Sequence, residues 1–121
     1  ESYVSGFNLI EIHKKYFPNT TFENLFVDHF DSKEIQTYLH LLAFYIATEI
    51  TILDIPTIIL GGGVIMSEHF PKAYLESIVK KNLYSPLAKE KFKVFYAHPH
   101  ANSGIIGATI YAKNYLSKIQ K

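Results

Sequence analysis

Three consecutive glycines, Gly61-Gly62-Gly63, hold half of the chain's six glycines and follow the apolar run Thr57-Ile58-Ile59-Leu60. That junction limits the fold more than any other stretch. A short β-branched run without polar alternation predicts a buried strand. Glycines then end it, because a backbone without Cβ enters turns that other residues avoid. Upstream, Asp54-Ile55-Pro56 separates the strand from a long segment of different period. Ile35, Leu39, Leu42, Ile46, Ile50 and Leu53 recur at spacings of 4, 3, 4, 4 and 3, which is a helix period. Leu41, Phe44, Tyr45 and Ile52 add apolar surface on its other faces. A helix apolar over so much of its girth is expected to be buried by more than one neighbour. Asp31-Ser32-Lys33-Glu34 before it has the form of a capping box, with Asp31 as N-cap and Glu34 three residues on.

The remaining elements fit around that junction. Residues 2–17 read as a helix with Tyr3, Phe7 and Ile10 on one face, ended by Phe17-Pro18. Thr21 to Val27 reads as a short helix or turn. After the glycines a helix is expected from near Pro71, a favoured first position, with Leu75, Ile78, Val79 and Leu83 inward. Lys80 and Lys81 fall on its solvated face. Phe92 to Ala97 reads as a second strand, and a last helix runs to about Ile119. Gly107, Ala108 and Ala112 on that helix are small, which suggests close packing. The order is α/β, with parallel strands if they share a sheet. Two strands are few for such a sheet.

Composition removes several classes of function. Zero Cys excludes a disulfide scaffold, a thiol nucleophile and a cysteine-ligated zinc within these residues. The 12 basic residues are all Lys and face 11 acidic ones. Nucleic-acid binding is therefore not expected, since Arg is the preferred fork for phosphate and a basic excess is absent. The apolar stretch from Ile55 to Met66 is short of the roughly 20 residues of a membrane span and is interrupted by Pro56 and the glycines. No signal peptide is evident at Glu1 to Gly6. A cytoplasmic protein is expected. His98 and His100 lack a third ligand nearby, and His40 reads as a packing histidine. Asp28 and Asp54 could supply a carboxylate, but Asp54 suits a helix-ending turn.

The glycine run sits where open α/β sheets bind ligands, at a strand's carboxyl end. A Gly-x-Gly-x-x-Gly fingerprint starting at Gly61 would need glycine where Met66 stands, and no Gly-Lys-Ser or Gly-Lys-Thr of a P-loop follows. The loop instead resembles the adenosine motif of the actin-like ATPase and sugar kinase superfamily. Glu1-Ser2-Tyr3-Val4-Ser5-Gly6 is similar to the segment after the zinc-binding cysteines of ROK-family kinases, which read Cys-x-Cys-Gly-x-x-Gly-Cys-x-Glu and then Ser-Gly. Asn102-Ser103-Gly104-Ile105-Ile106-Gly107-Ala108 resembles that family's terminal Asp-Ala-Gly-x-x-Gly-Ala, with Asn102 and Ser103 departing from it. Asn24 to Val27, Ile46-Ala47-Thr48, Phe70-Pro71 and Ser85-Pro86-Leu87 resemble the members of the family that act on allose.

The resemblance carries a set of expectations. The fold would be part of an actin-like ATPase (ribonuclease H-like) domain, with helices packed on a few parallel strands. Residues 1–121 would form the C-terminal portion of a ROK sugar kinase, and the base, phosphate loops and zinc ligands would precede them. The parent protein would use ATP and Mg²⁺ to phosphorylate an allose-like hexose and would carry a structural zinc. Glu1 would contact the sugar, since a carboxylate accepts strong hydrogen bonds from hydroxyls. Gly61, Gly62, Gly63 and Val64 would approach the adenosine, and residues from Phe70 to Leu75 could wall the adenine, although Phe70 reads better as core. Implied partners are an N-terminal lobe of the same protein and a second copy in a homodimer. The alternative within the same family is the sugar-sensing domain of a transcription regulator.

Overall fold

The computed structural model describes residues 3–97 and 103–119. Helix α1 spans Gly6–Tyr16, a 3-10 turn spans Phe22–Asn24, and helix α2 spans Leu25–Asp28. Helix α3 spans Lys33–Leu53, strand β1 Thr57–Leu60, helix α4 Lys72–Asn82 and helix α5 Pro86–Lys91. Strand β2 spans Lys93–Tyr96 and helix α6 spans Ser103–Ile119.

Helix α1 begins later than the periodicity suggests. Ser5 has extended backbone and its side chain accepts from the Asn8 amide at 3.2 Å, so it caps the helix and Tyr3 and Val4 lie before it. The inward face also differs from the expected one. Leu9 is fully buried while Phe7 is 73% exposed, because the stripe that meets the core runs through Leu9 and Ile12. His13 on the next turn donates to the Thr20 carbonyl at 2.6 Å, and a hydrogen bond links the Thr20 hydroxyl and His29 Nε2. These bonds, with the Phe17 ring stacked on His29 at 4.1 Å, fix the chain reversal after α1.

The N-cap of α3 is Ser32, not Asp31. Ser32 takes the extended cap conformation, and its hydroxyl accepts from the Ile35 amide while donating to the His29 carbonyl. At the other end Asp54 adopts the left-handed conformation, φ 54°, and stops the helix before Pro56. One stripe of α3 is buried: Ile35, Tyr38, Leu39, Ala43, Ile46, Ala47 and Ile50. The rest is not, and Phe44, Tyr45, Ile52 and Leu53 are exposed. Its main partner is α4, which buries Leu75, Ile78 and Val79, followed by Leu83, the face its spacing predicts. Lys80 and Lys81 are exposed as expected.

The two strands are parallel neighbours, with Thr57 opposite Lys93 and Leu60 opposite Tyr96. The helix-rich chain with this small parallel sheet has an α/β fold. The strands are not buried on both faces. Ile58, Leu60, Val94 and Tyr96 are half-buried, whereas Ile59 and Phe95 point together to an open face. Neither edge of the pair carries a third strand among the described residues. Helix α5 was not anticipated from the sequence, although Ser85 caps it through the Ala88 amide and Pro86 opens it. Helix α6 runs to Ile119 as expected, but its residues 104–119 are exposed, so the close packing expected at Gly107, Ala108 and Ala112 is absent among the described residues.

Candidate functional site

A cleft of about 550 Å³ lies at the carboxyl end of β1. Gly61, Gly62, Gly63, Val64 and Ile65 form one wall. The second wall is the start of α1, with Val4, Gly6 and Ile10. Tyr38 and Leu42 of α3, with Phe22, complete the lining. Small-molecule sites typically occupy about 300–1,000 Å³, so the space suits a nucleoside-sized ligand.

Each glycine of the loop answers a different demand. A Cβ at Gly61 would stand 2.9 Å from the Ala97 Cβ, and the Ala97 amide donates to the Leu60 carbonyl at 2.8 Å. Gly61 is therefore set by close approach of Ala97, the residue directly after β2. Gly62 has φ +103°, a conformation that side chains rarely adopt. Gly63 has neither constraint: a Cβ there would meet nothing within 4 Å. Beyond it the chain turns tightly. The Met66 amide donates to the Gly62 carbonyl at 3.0 Å, and the Ser67 amide and hydroxyl both donate to the Val64 carbonyl, at 3.1 and 2.7 Å. Phe70 anchors the end of the loop in the core, its ring edge-on to Phe26 at 5.1 Å.

The opposite wall is held by hydrogen bonds from two helices. Tyr38 Oη donates to the Val4 carbonyl at 3.0 Å, and Asn8 Nδ2 donates to the Tyr3 carbonyl at 2.7 Å. Burial pushes the Tyr38 phenol up to about 12, so it remains a neutral donor. The two walls approach closely, since a Cβ added at Gly6 would lie 3.3 Å from Val64 Cγ2. Among the described residues, the cleft is lined by no Asp, Glu, Lys or His. Its polar groups are main-chain amides and carbonyls and one engaged phenol. Such a surface can bind the flat apolar face of a ring and hydrogen-bond its edge through the backbone.

Of the residues singled out in the sequence, Gly61, Gly62, Gly63 and Val64 stand together on this cleft. Glu1, His98, His100 and Asn102 lie outside the described residues, as does the side chain of Ser103. Phe70 and Leu75 are buried, so neither offers a face to an adenine. Asp28, Asp31 and Asp54 are exposed and off the cleft, and His40 is exposed, not packed into the core. No group of three His, Asp or Glu that could hold a metal occurs among the described residues. No described helix is long and apolar enough to cross a membrane.

Tyr38, Gly6 and Val4 were not singled out as cleft residues from the sequence. Tyr38 carries a readable signal, because it sits at helical spacing between Ile35 and Leu42 on the buried stripe with a hydroxyl that needs a partner. Its partner at Val4 is 34 residues away, and no local pattern shows that. The α/β fold and a glycine loop at a strand end accord with one comparison to known families. The family model described as the ROK family matches residues 1–115. A match over nearly the whole sequence places this chain in the ROK family.

Proposed function

We propose that this chain is the nucleotide-binding, C-terminal portion of an ATP-dependent hexose kinase. The observation that carries the reading is Gly63. It lines the cleft, lacks a positive φ, and has open space where its Cβ would be. Nothing within the described residues requires glycine at that position, whereas close approach of a ligand to the backbone does. The ligand that suits an uncharged cleft walled by Val64, Ile65 and Leu42 is the adenosine of ATP. Its phosphates, with Mg²⁺, would extend beyond the cleft to residues outside those described, since no described cluster offers metal ligands.

The sugar side of the reading rests on Glu1. Its carboxylate would hydrogen-bond hexose hydroxyls, with an allose-like sugar as the first substrate to assay. Catalysis of phosphoryl transfer is mostly positioning and charge stabilisation, with a carboxylate accepting the hydroxyl proton. That base, the phosphate loops and a structural zinc belong to the proposed N-terminal part, in a cytoplasmic protein that would act as a homodimer. The regulator alternative in the same family keeps the sugar site and dispenses with turnover.

The test is nucleotide affinity in the full-length protein. Gly63→Val fills the cleft without backbone strain and is expected to weaken ATP binding about tenfold or more, about 1.4 kcal/mol. Gly62 is a poorer probe, since any side chain at φ +103° strains the loop whatever the ligand. Unaltered ATP affinity in Gly63→Val would reject the loop as the adenosine seat. Sugar-dependent DNA binding without phosphorylation of allose, glucose, N-acetylmannosamine or fructose would select the regulator.

A further inference from the structure

Gly6 and Val64 bring the two walls of the cleft close together, and they belong to different elements. Gly6 opens α1, immediately after the Ser5 cap. Val64 follows the glycine run directly. A Cβ at residue 6 would sit 3.3 Å from Val64 Cγ2, tighter than ordinary van der Waals contact. Val64 has little freedom to yield. Its β-branched side chain is restricted at χ1, and its carbonyl is held by both the Ser67 amide and the Ser67 hydroxyl. The α1 side is equally constrained, because Tyr38, Asn8 and Ser5 fix the segment from Tyr3 to Gly6 through three hydrogen bonds. The compliant link between these two fixed points is Gly62-Gly63, with Gly62 at φ +103°.

We propose that Gly6 and Val64 are positioning residues, through which the start of α1 sets the seat of the glycine loop and couples the segment before α1 to nucleotide affinity. This rests on the reading of the glycine loop as the adenosine seat. A displacement of the Tyr3–Gly6 segment pushes Val64, and the push is taken up at Gly62 and Gly63, the residues that meet the nucleotide. By linkage the effect is reciprocal: nucleotide on the loop biases the segment that would carry the sugar-contacting Glu1.

The experiment measures ADP dissociation constants in the full-length protein for Gly6→Ala, Val64→Ala, the double variant and Gly63→Val. The gain in helix propensity and the tight approach to Val64 oppose each other, so Gly6→Ala should move the thermal midpoint little. It should nonetheless weaken ADP binding about fivefold, the low end of typical coupling. Removing the Val64 methyls frees the space, so the double variant should bind ADP within about twofold of Val64→Ala alone. That non-additivity, with affinity falling while stability holds, is something a merely structural role does not produce. Wild-type affinity in Gly6→Ala would overturn the proposal, as would simple additivity in the double variant or a thermal midpoint that falls in step with affinity. If Gly63→Val weakens ADP binding and Gly6→Ala does not, the coupling fails and the adenosine seat stands. If Gly63→Val has no effect, both fail together.

Discussion

Tyr38 shows how one side chain can serve fold and site together. Its ring lies on the buried stripe of α3 and its hydroxyl satisfies the Val4 carbonyl on the cleft wall. Desolvation moves its pKa from the ordinary 10 up to about 12, because the folded chain disfavours the phenolate. The sign of the pH dependence follows. The folded state keeps a proton that the unfolded chain has released, so the contribution is complete below pH 10 and is lost as pH rises towards about 12. Denaturation midpoints measured between pH 9 and 12 should therefore fall with rising pH, and less steeply in Tyr38→Phe. Tyr96 shifts in the same direction, by burial and then by its hydrogen bond to Glu76, so the variant should retain part of the slope. Identical slopes in the two proteins would remove Tyr38 from the account.

Helix α4 carries the packing of the molecule against α3, and its fully buried Leu75 lies at the centre of that seam. Leu75→Ala should cost about 2–5 kcal/mol, the range for a cavity left by a buried leucine, while Lys80→Ala on the exposed face should stay within about 0.5 kcal/mol. Urea unfolding of both variants checks this, and similar values for the two would contradict the observed seam. The inward face of α4 was legible in the sequence because Leu75, Ile78, Val79 and Leu83 have no polar competitor for the stripe. Both strands were legible from their β-branched and aromatic residues, with Pro56 and Gly61 bracketing the first and Pro99 following the second. Helix α1 misled, because Phe7 and Ile10 outweigh Leu9 and Ile12 in size and nothing local says which pair meets α3. The cap of α3 misled because Asp31 and Ser32 are adjacent good caps, and the choice is made by the His29 carbonyl that Ser32 also engages. In the site, the glycine loop was visible as a string of letters. The wall opposite it was not, because it depends on the close approach of Gly6 to Val64 and a hydrogen bond from Tyr38 to Val4, both long-range.

At the scale of the whole molecule, the proposed reading assigns binding and chemistry to different parts. The cleft joins the start of α1, the middle of α3 and the loop after β1, and every described side chain on it is uncharged. It can seat a ring through apolar contact and main-chain hydrogen bonds. It cannot accept the proton of a sugar hydroxyl, because the described carboxylates lie elsewhere and Tyr38 is a neutral phenol whose proton is already given to Val4. Phosphoryl transfer also needs cationic or metal groups around the moving phosphate, and no described cluster can hold a metal. The 121-residue chain purified alone is therefore expected to turn over no ATP with allose or any other hexose. A coupled assay for ADP release, with the full-length protein as reference, measures this directly. The absence of turnover should extend to Gly63→Ala and Val64→Ala in the short chain, since neither adds an acid, a base or a metal ligand. Sugar-dependent ADP release by the short chain would mean that a residue outside those described, such as Glu1, supplies the proton transfer, and the proposed division between a binding part and a catalytic part would have to be redrawn.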